Sequence, residues 1–167
     1  GLILNQGSTF NVDMEDVAFT TESGVINVTG NQAQETTTTQ ITDITTTTTV
    51  TTDNDTTESP KLSIKSTSAE SGETIDVEVI LSDNPGIIAL SFDVEYDSER
   101  LELIKAEDGK ILGTSTSLFG NDTTANPYRL CWDDLSTENN TGNGTVATIT
   151  FKVKEDAPSG IASVGLI

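Results

Sequence analysis

The residues best equipped for chemistry are carboxylates: 167 residues carry 27 Asp and Glu against eight Lys and Arg, with one Cys and no His. Two acidic pairs, Glu107-Asp108 and Asp133-Asp134, could in principle serve glycoside hydrolysis. Adjacent residues of an extended chain point to opposite faces, however, so neither pair would flank a sugar. Without His there is no His-dependent triad and no common zinc site, and Cys131 has no second Cys for an internal disulfide. No Asp-x-Asp-x-Asp-Gly spacing marks a calcium loop. The sequence therefore reads as non-enzymatic, without a metal or cofactor site.

Charge narrows the partners further. A net charge of -19 repels nucleic-acid phosphates and anionic headgroups, which leaves basic partners or simple solubility outside the cell. No apolar run approaches the ~20 residues that span a bilayer, and residue 1 is not followed by the basic-then-apolar form of a signal peptide. Any secretion signal is expected outside this fragment. All eight cations lie between Lys61 and Lys154, so composition divides the chain near residue 60.

The elements that must position functional side chains are strands. From Ile88 the apolar residues Ile88, Leu90, Phe92, Val94 and Tyr96 recur at every second position, which predicts one buried face. Ile87, Ala89, Ser91, Asp93 and Glu95 then point outward. Asn84-Pro85-Gly86 supplies the turn before this strand. The same alternation predicts strands at Leu62–Ile64, Thr74–Leu81, Leu101–Ala106, Tyr128–Trp132, Thr145–Lys154 and Ile161–Ile167, with a short one at Leu118-Phe119. In the Tyr128 strand, Arg129, Cys131 and Asp133 face out. Residues 1–30 hold two strand-like runs, Phe10–Phe19 and Gly24–Thr29. Residues 31–59 are Thr-rich, lack any periodic apolar face and read as a linker. Some eight short strands spaced by turn residues, with no helical period, predict an all-β two-sheet sandwich or jelly roll.

Gly1-Leu2-Ile3 recurs as Gly165-Leu166-Ile167, which suggests a chain cut at equivalent points of two tandem copies. Residues 1–30 would be the end of one module and residues 60–167 the next, lacking its last strands. The N-terminal run would then complete the domain formed by residues 60–167.

From residue 60 onward the chain resembles a bacterial cohesin module of a cellulosomal scaffoldin. The resemblance is carried by Ser71-Gly72-Glu73-Thr74-Ile75-Asp76-Val77, Pro85-Gly86-Ile87-Ile88, Phe92 to Asp97, Leu101-Glu102-Leu103, and Ala147 to Lys154 followed by Ser159-Gly160. Asn11 to Phe19 and Gly24 to Val28 resemble that family's last two strands. The resemblance implies a nine-stranded jelly roll without a catalytic site, a monomeric module in a tandem array. Its implied partner is a calcium-loaded dockerin of enzymes or other scaffold proteins, with no nucleic acid and no membrane insertion. It also implies a secreted protein, attached to the cell surface only through other modules, that serves polysaccharide degradation. The docking face would comprise Ile87, Ala89, Ser91 and Asp93, then Arg129, Cys131 and Asp133, with Asp134 at the rim. Ser117 and Phe119 would add a third strand, and Val12 and Met14 the penultimate one. The best-studied cohesins carry an Asn and Asp pair where Ala89 and Ser91 stand, which implies a different dockerin specificity with more apolar contact. A carbohydrate-binding jelly roll and a structural repeat of a surface adhesin are the alternatives; sugar stacking would need exposed aromatics, whereas alternation places Trp132 and both Tyr inward.

Overall fold

The computed structural model describes residues 9–30, 60–109, 111–113 and 119–167. The expected linker 31–59, the tripeptide Gly1-Leu2-Ile3 and Ser117 lie outside the described residues.

Eleven strands are described: β1 (Thr20–Glu22), β2 (Gly24–Thr29), β3 (Lys61–Ile64), β4 (Thr67–Glu70), β5 (Thr74–Ser82), β6 (Ala89–Tyr96), β7 (Leu101–Asp108), β8 (Phe119–Gly120), β9 (Tyr128–Asp133), β10 (Gly144–Val153) and β11 (Gly160–Leu166). They form a five-stranded sheet in the order β1-β3-β5-β10-β7 and a six-stranded sheet in the order β4-β2-β11-β6-β9-β8. The alternating apolar residues of both sheets meet between them. Trp132, Phe151, Leu90, Leu130, Ile149 and Val79 are among the side chains fully withdrawn from solvent, and Tyr96 tilts against Phe151 with ring centroids 5.2 Å apart. This is the all-β sandwich that the periodicity predicts.

Two short strand pairs explain why eleven strands appear where nine are expected. β1 and β2 are one extended run that leaves the five-stranded sheet and enters the six-stranded one at Ser23-Gly24; β3 and β4 do the same at Lys65-Ser66. Strands that switch sheets form the corners of a sandwich. The two runs stay side by side and parallel throughout, Thr20 opposite Lys61, Ile26 opposite Thr67 and Val28 opposite Ala69. At the crossing a Cβ on Gly24 would stand 2.5 Å from Ile64 Cγ2 and 2.8 Å from the Ile64 carbonyl oxygen, so only glycine fits. β2 also pairs antiparallel with β11, Ala162 opposite Ile26, and buries Ile26 and Val28.

Three local expectations are corrected. Phe10–Phe19 is not a strand: the chain turns at Asn11–Glu15, where the Asn11 side-chain oxygen accepts the amides of Asp13 and Glu15 and Met14 adopts a φ of 61°. The polar side chain competes with a strand ladder for those donors. Thr20–Glu22, left between the two expected runs Phe10–Phe19 and Gly24–Thr29, is β1, and Thr67–Glu70, for which the alternation predicts no strand, is β4. Both are polar edge strands with at most one buried side chain, too little for an apolar period to show.

Candidate protein-docking face

The outer face of the six-stranded sheet is built on β6 and β9. Their antiparallel register sets Ala89 opposite Asp133, Ser91 opposite Cys131 and Asp93 opposite Arg129. Because Leu90, Phe92, Val94, Tyr128, Leu130 and Trp132 fill the core, the pleat sends these six residues outward. Ala89, Ser91 and Cys131 are half-buried and Asp133 is exposed.

Small side chains keep the middle of the face flat. Ser91 Oγ and Cys131 Sγ lie 3.4 Å apart, either able to donate to the other. Beside them Arg129 donates from Nε and Nη2 to the two carboxylate oxygens of Asp93, each at 2.6 Å. Two parallel charge-assisted bonds fix both planar groups. The burial is asymmetric: the Asp93 side chain retains 8% of its exposure and that of Arg129 half. Asp93, by hydrogen bond and by charge, holds the guanidinium above the usual arginine range. Asp93, Arg129 and Cys131 border a shallow depression of about 440 Å³ whose far wall is Gly120, Asn121 and Pro127.

Ile87 does not belong to this face. It is fully buried, its backbone paired with Asn140, so the expected outward position is overturned. The reason is a slip in the pleat. The amides of Ile88 and Ala89 both donate to the Phe10 carbonyl, at 2.7 and 3.3 Å, so two residues face one as in a β-bulge. Ile87 and Leu90 both point inward across that slip, and counting by twos back from Leu90 mislabels Ile87.

Val12 and Met14 sit on the turn after Phe10, at the Ala89 end of the sheet. Val12 is half-buried and donates its amide to Asn139 Oδ1 at 2.8 Å, while Met14 is 71% exposed. They border the face from a turn, and the expected strand beneath them is absent. Asp134 stands at the rim, its amide donating to the Ile88 carbonyl and its carboxylate accepting the Ser136 amide. Phe119 begins β8, its backbone opposite Cys131.

The strand next to β6 is β11, whose outward residues the sequence reading missed. Val164, Gly165 and Leu166 lie opposite Tyr96, Glu95 and Val94, and Asp93 and Ile167 exchange backbone hydrogen bonds of 3.1 and 3.0 Å. Ala162, Val164 and Leu166 fill the core, so Ile161, Ser163 and Gly165 join Glu95 on the outer surface, Ile161 at 66% exposure. The signal was present as alternation from Ile161 to Leu166. The resemblance, however, assigns the neighbouring place to Phe10–Phe19.

A sandwich that presents a flat, small-residue face around one clamped ion pair is a protein-docking module in form. Residues 60–166 match the model of the cohesin domain, and the chain belongs to the cohesin family. It is 34% identical over 115 residues to cellulosomal-scaffolding protein A of Acetivibrio thermocellus, covering 62% of this chain and 6% of that protein. It is 30% identical over 113 residues to cellulosomal-scaffolding protein B of the same organism, covering 62% of this chain and 15% of that one. The chain thus spans a small fraction of these relatives. The sixth cohesin of Acetivibrio cellulolyticus scaffoldin B, solved in complex with a mutant Cel5 dockerin, superposes with a TM-score of 0.59 at 27% identity, covering 65% of this chain and 81% of that one. The seventh type I cohesin of ScaB from Pseudobacteroides cellulosolvens shares the fold, with a TM-score of 0.55 at 20% identity over 89% of this chain and 75% of that one.

Proposed function

We propose that the outer face of the six-stranded sheet captures the calcium-loaded dockerin module of an enzyme or another scaffold protein, and that the chain is a non-catalytic piece of a secreted scaffoldin. One observation carries the reading: in the row Ala89, Ser91, Asp93 facing Asp133, Cys131, Arg129, Ser91 is paired with Cys131 and Asp93 with Arg129 within the sheet, leaving a flat centre. Such a surface loses little on desolvation when a partner covers it. The scaffold would serve a multi-enzyme complex degrading plant polysaccharide. In module terms, residues 1–30 are the closing strands of one cohesin, 31–59 a Thr-rich linker and 60–167 the body of the next.

With Ala89 and Ser91 in place of a polar Asn and Asp pair, contact around these two residues is more apolar, whereas Ile161 lies at the far end of the sheet, beyond Tyr96. Direct sugar binding is disfavoured because Trp132, Tyr96 and Tyr128 are all buried in the core. Calorimetric titration with a panel of dockerins tests the reading. We expect at least one to bind in calcium and to be released by a chelator, with Cys131→Arg weakening capture at least tenfold. Retardation in a cellulose or starch gel with no dockerin bound would overturn it.

A further inference from the structure

We propose that residues 9–30 form an exchangeable closing element, able to complete the sandwich of a second copy of this chain as well as their own. This rests on the fold rather than on dockerin capture, and its test needs no dockerin.

Apart from those within its own turn, Thr9–Val17, the backbone hydrogen bonds of this element among the described residues end in residues 60–167. Phe10 bonds Ala89 and Ile88; Thr20 donates to the Pro60 carbonyl; β1 lies on β3, and β2 sits between β4 and β11. Side chains repeat the pattern: Val12 is held by Asn139, Val25 by Ser66 and Gly30 by Ser159. Ile26 and Val28 are wholly buried among residues of the body. None of these bonds depends on which chain supplies the element.

The covalent tie is residues 31–59. Since β1-β2 and β3-β4 run parallel, the tie must return from Gly30 to Pro60 along the whole run, roughly 30 Å at ~3.3 Å per residue. The 29 residues of the tie exceed the roughly 10 fully extended residues that such a span needs. The tie therefore presents its own element at an effective concentration on the order of mM, and self-closure wins at μM dilution. Shortening the tie reverses that preference. The exchanged element would bring Val12 and Met14 with it, so in an array the Ala89 end of each docking face would carry residues from another unit.

Two measurements test this in a Cys131→Ser background. Deleting residues 33–58 leaves a reach of roughly 14 Å, too short for self-closure. We expect the sedimenting species to shift from one chain to two, or to a larger closed ring. A folded monomer would overturn the proposal. Independently, the full-length chain carrying Ile161→Cys is refolded with a tagged peptide of residues 9–30 carrying Asn27→Cys, the residue opposite Ile161. At mM peptide we expect about half the chains to take up the tag through a disulfide. Capture no greater than with a scrambled peptide would overturn the proposal even if the shortened chain failed to fold.

Discussion

Arg129 closes over Asp93 with two 2.6 Å hydrogen bonds, and of the two it is the buried carboxylate that depends on the pairing. Arg129→Ala strands a desolvated charge under the docking face, whereas Asp93→Ala leaves a half-exposed guanidinium that water can serve. Breaking a buried pair from one side costs about 3–5 kcal/mol, and solvent access to Arg129 lowers that here to roughly 1–3 kcal/mol. Urea unfolding should therefore rank Arg129→Ala below Asp93→Ala in stability. The opposite ranking would show that the pair contributes nothing special to the fold.

Ala89 and Cys131 invite a separation of docking from folding. Both are half-buried on the outer face, away from the core side of the sheet. Ala89→Arg and Cys131→Arg should each weaken dockerin capture at least tenfold, about 1.4 kcal/mol, while shifting the unfolding midpoint little. Ile87→Ala should do the reverse: a fully buried side chain is lost, at a cost of about 2–5 kcal/mol, with the face intact. Loss of capture by the folded Ile87 variant alone would contradict this division.

The contrast between these residues shows where sequence was readable. Thr74–Ser82 was legible because one face is buried and the period of two runs unbroken from Ile75 to Leu81, and Gly144–Val153 because Ala147, Ile149, Phe151 and Val153 keep that period past the irregularity near Val146. The outward set Ala89, Ser91, Asp93, Arg129, Cys131, Asp133 followed from the same rule. Ile87 did not, because the double donation to Phe10 slips the phase and a bulge leaves no mark in composition. Nor did the work of the Asn-rich loop. Asn84 is buried, donates to the Asn140 and Gly142 carbonyls and receives the Gly86 amide, while Asn140 donates to the Ile111 carbonyl. Such networks join residues about sixty positions apart, which no local pattern reports.

The sheet-switching corner makes its own demand. Gly24 and Ile64 pass so closely that a methyl group at residue 24 must push against a carbonyl oxygen. Gly24→Ala should destabilise by about 1–3 kcal/mol through overpacking. Ile26→Ala, two residues on, should cost about 2–5 kcal/mol by leaving a cavity beneath β2. If thermal unfolding finds both variants unchanged, residues 20–29 do not close the sandwich in solution.

Alkaline pH provides a probe of the core itself. Burial pushes the phenols of Tyr96 and Tyr128 above the ordinary value of 10.0, with the nearby charge of Glu102 adding to the shift at Tyr96 and a hydrogen bond with the Leu103 backbone opposing it. The unfolded chain loses these protons at about pH 10 while the folded chain still holds them, so in that window the folded state binds more protons. Stability must then fall as pH rises: the contribution is full below the unfolded value and is lost as pH climbs through the folded ones. Urea midpoints measured between about pH 8 and about pH 11 should decline above about pH 10, and Tyr128→Phe should flatten that decline. The growing negative charge acts on both proteins alike, so the difference between the two curves isolates the phenol; identical slopes would mean that Tyr128 is not held in the core.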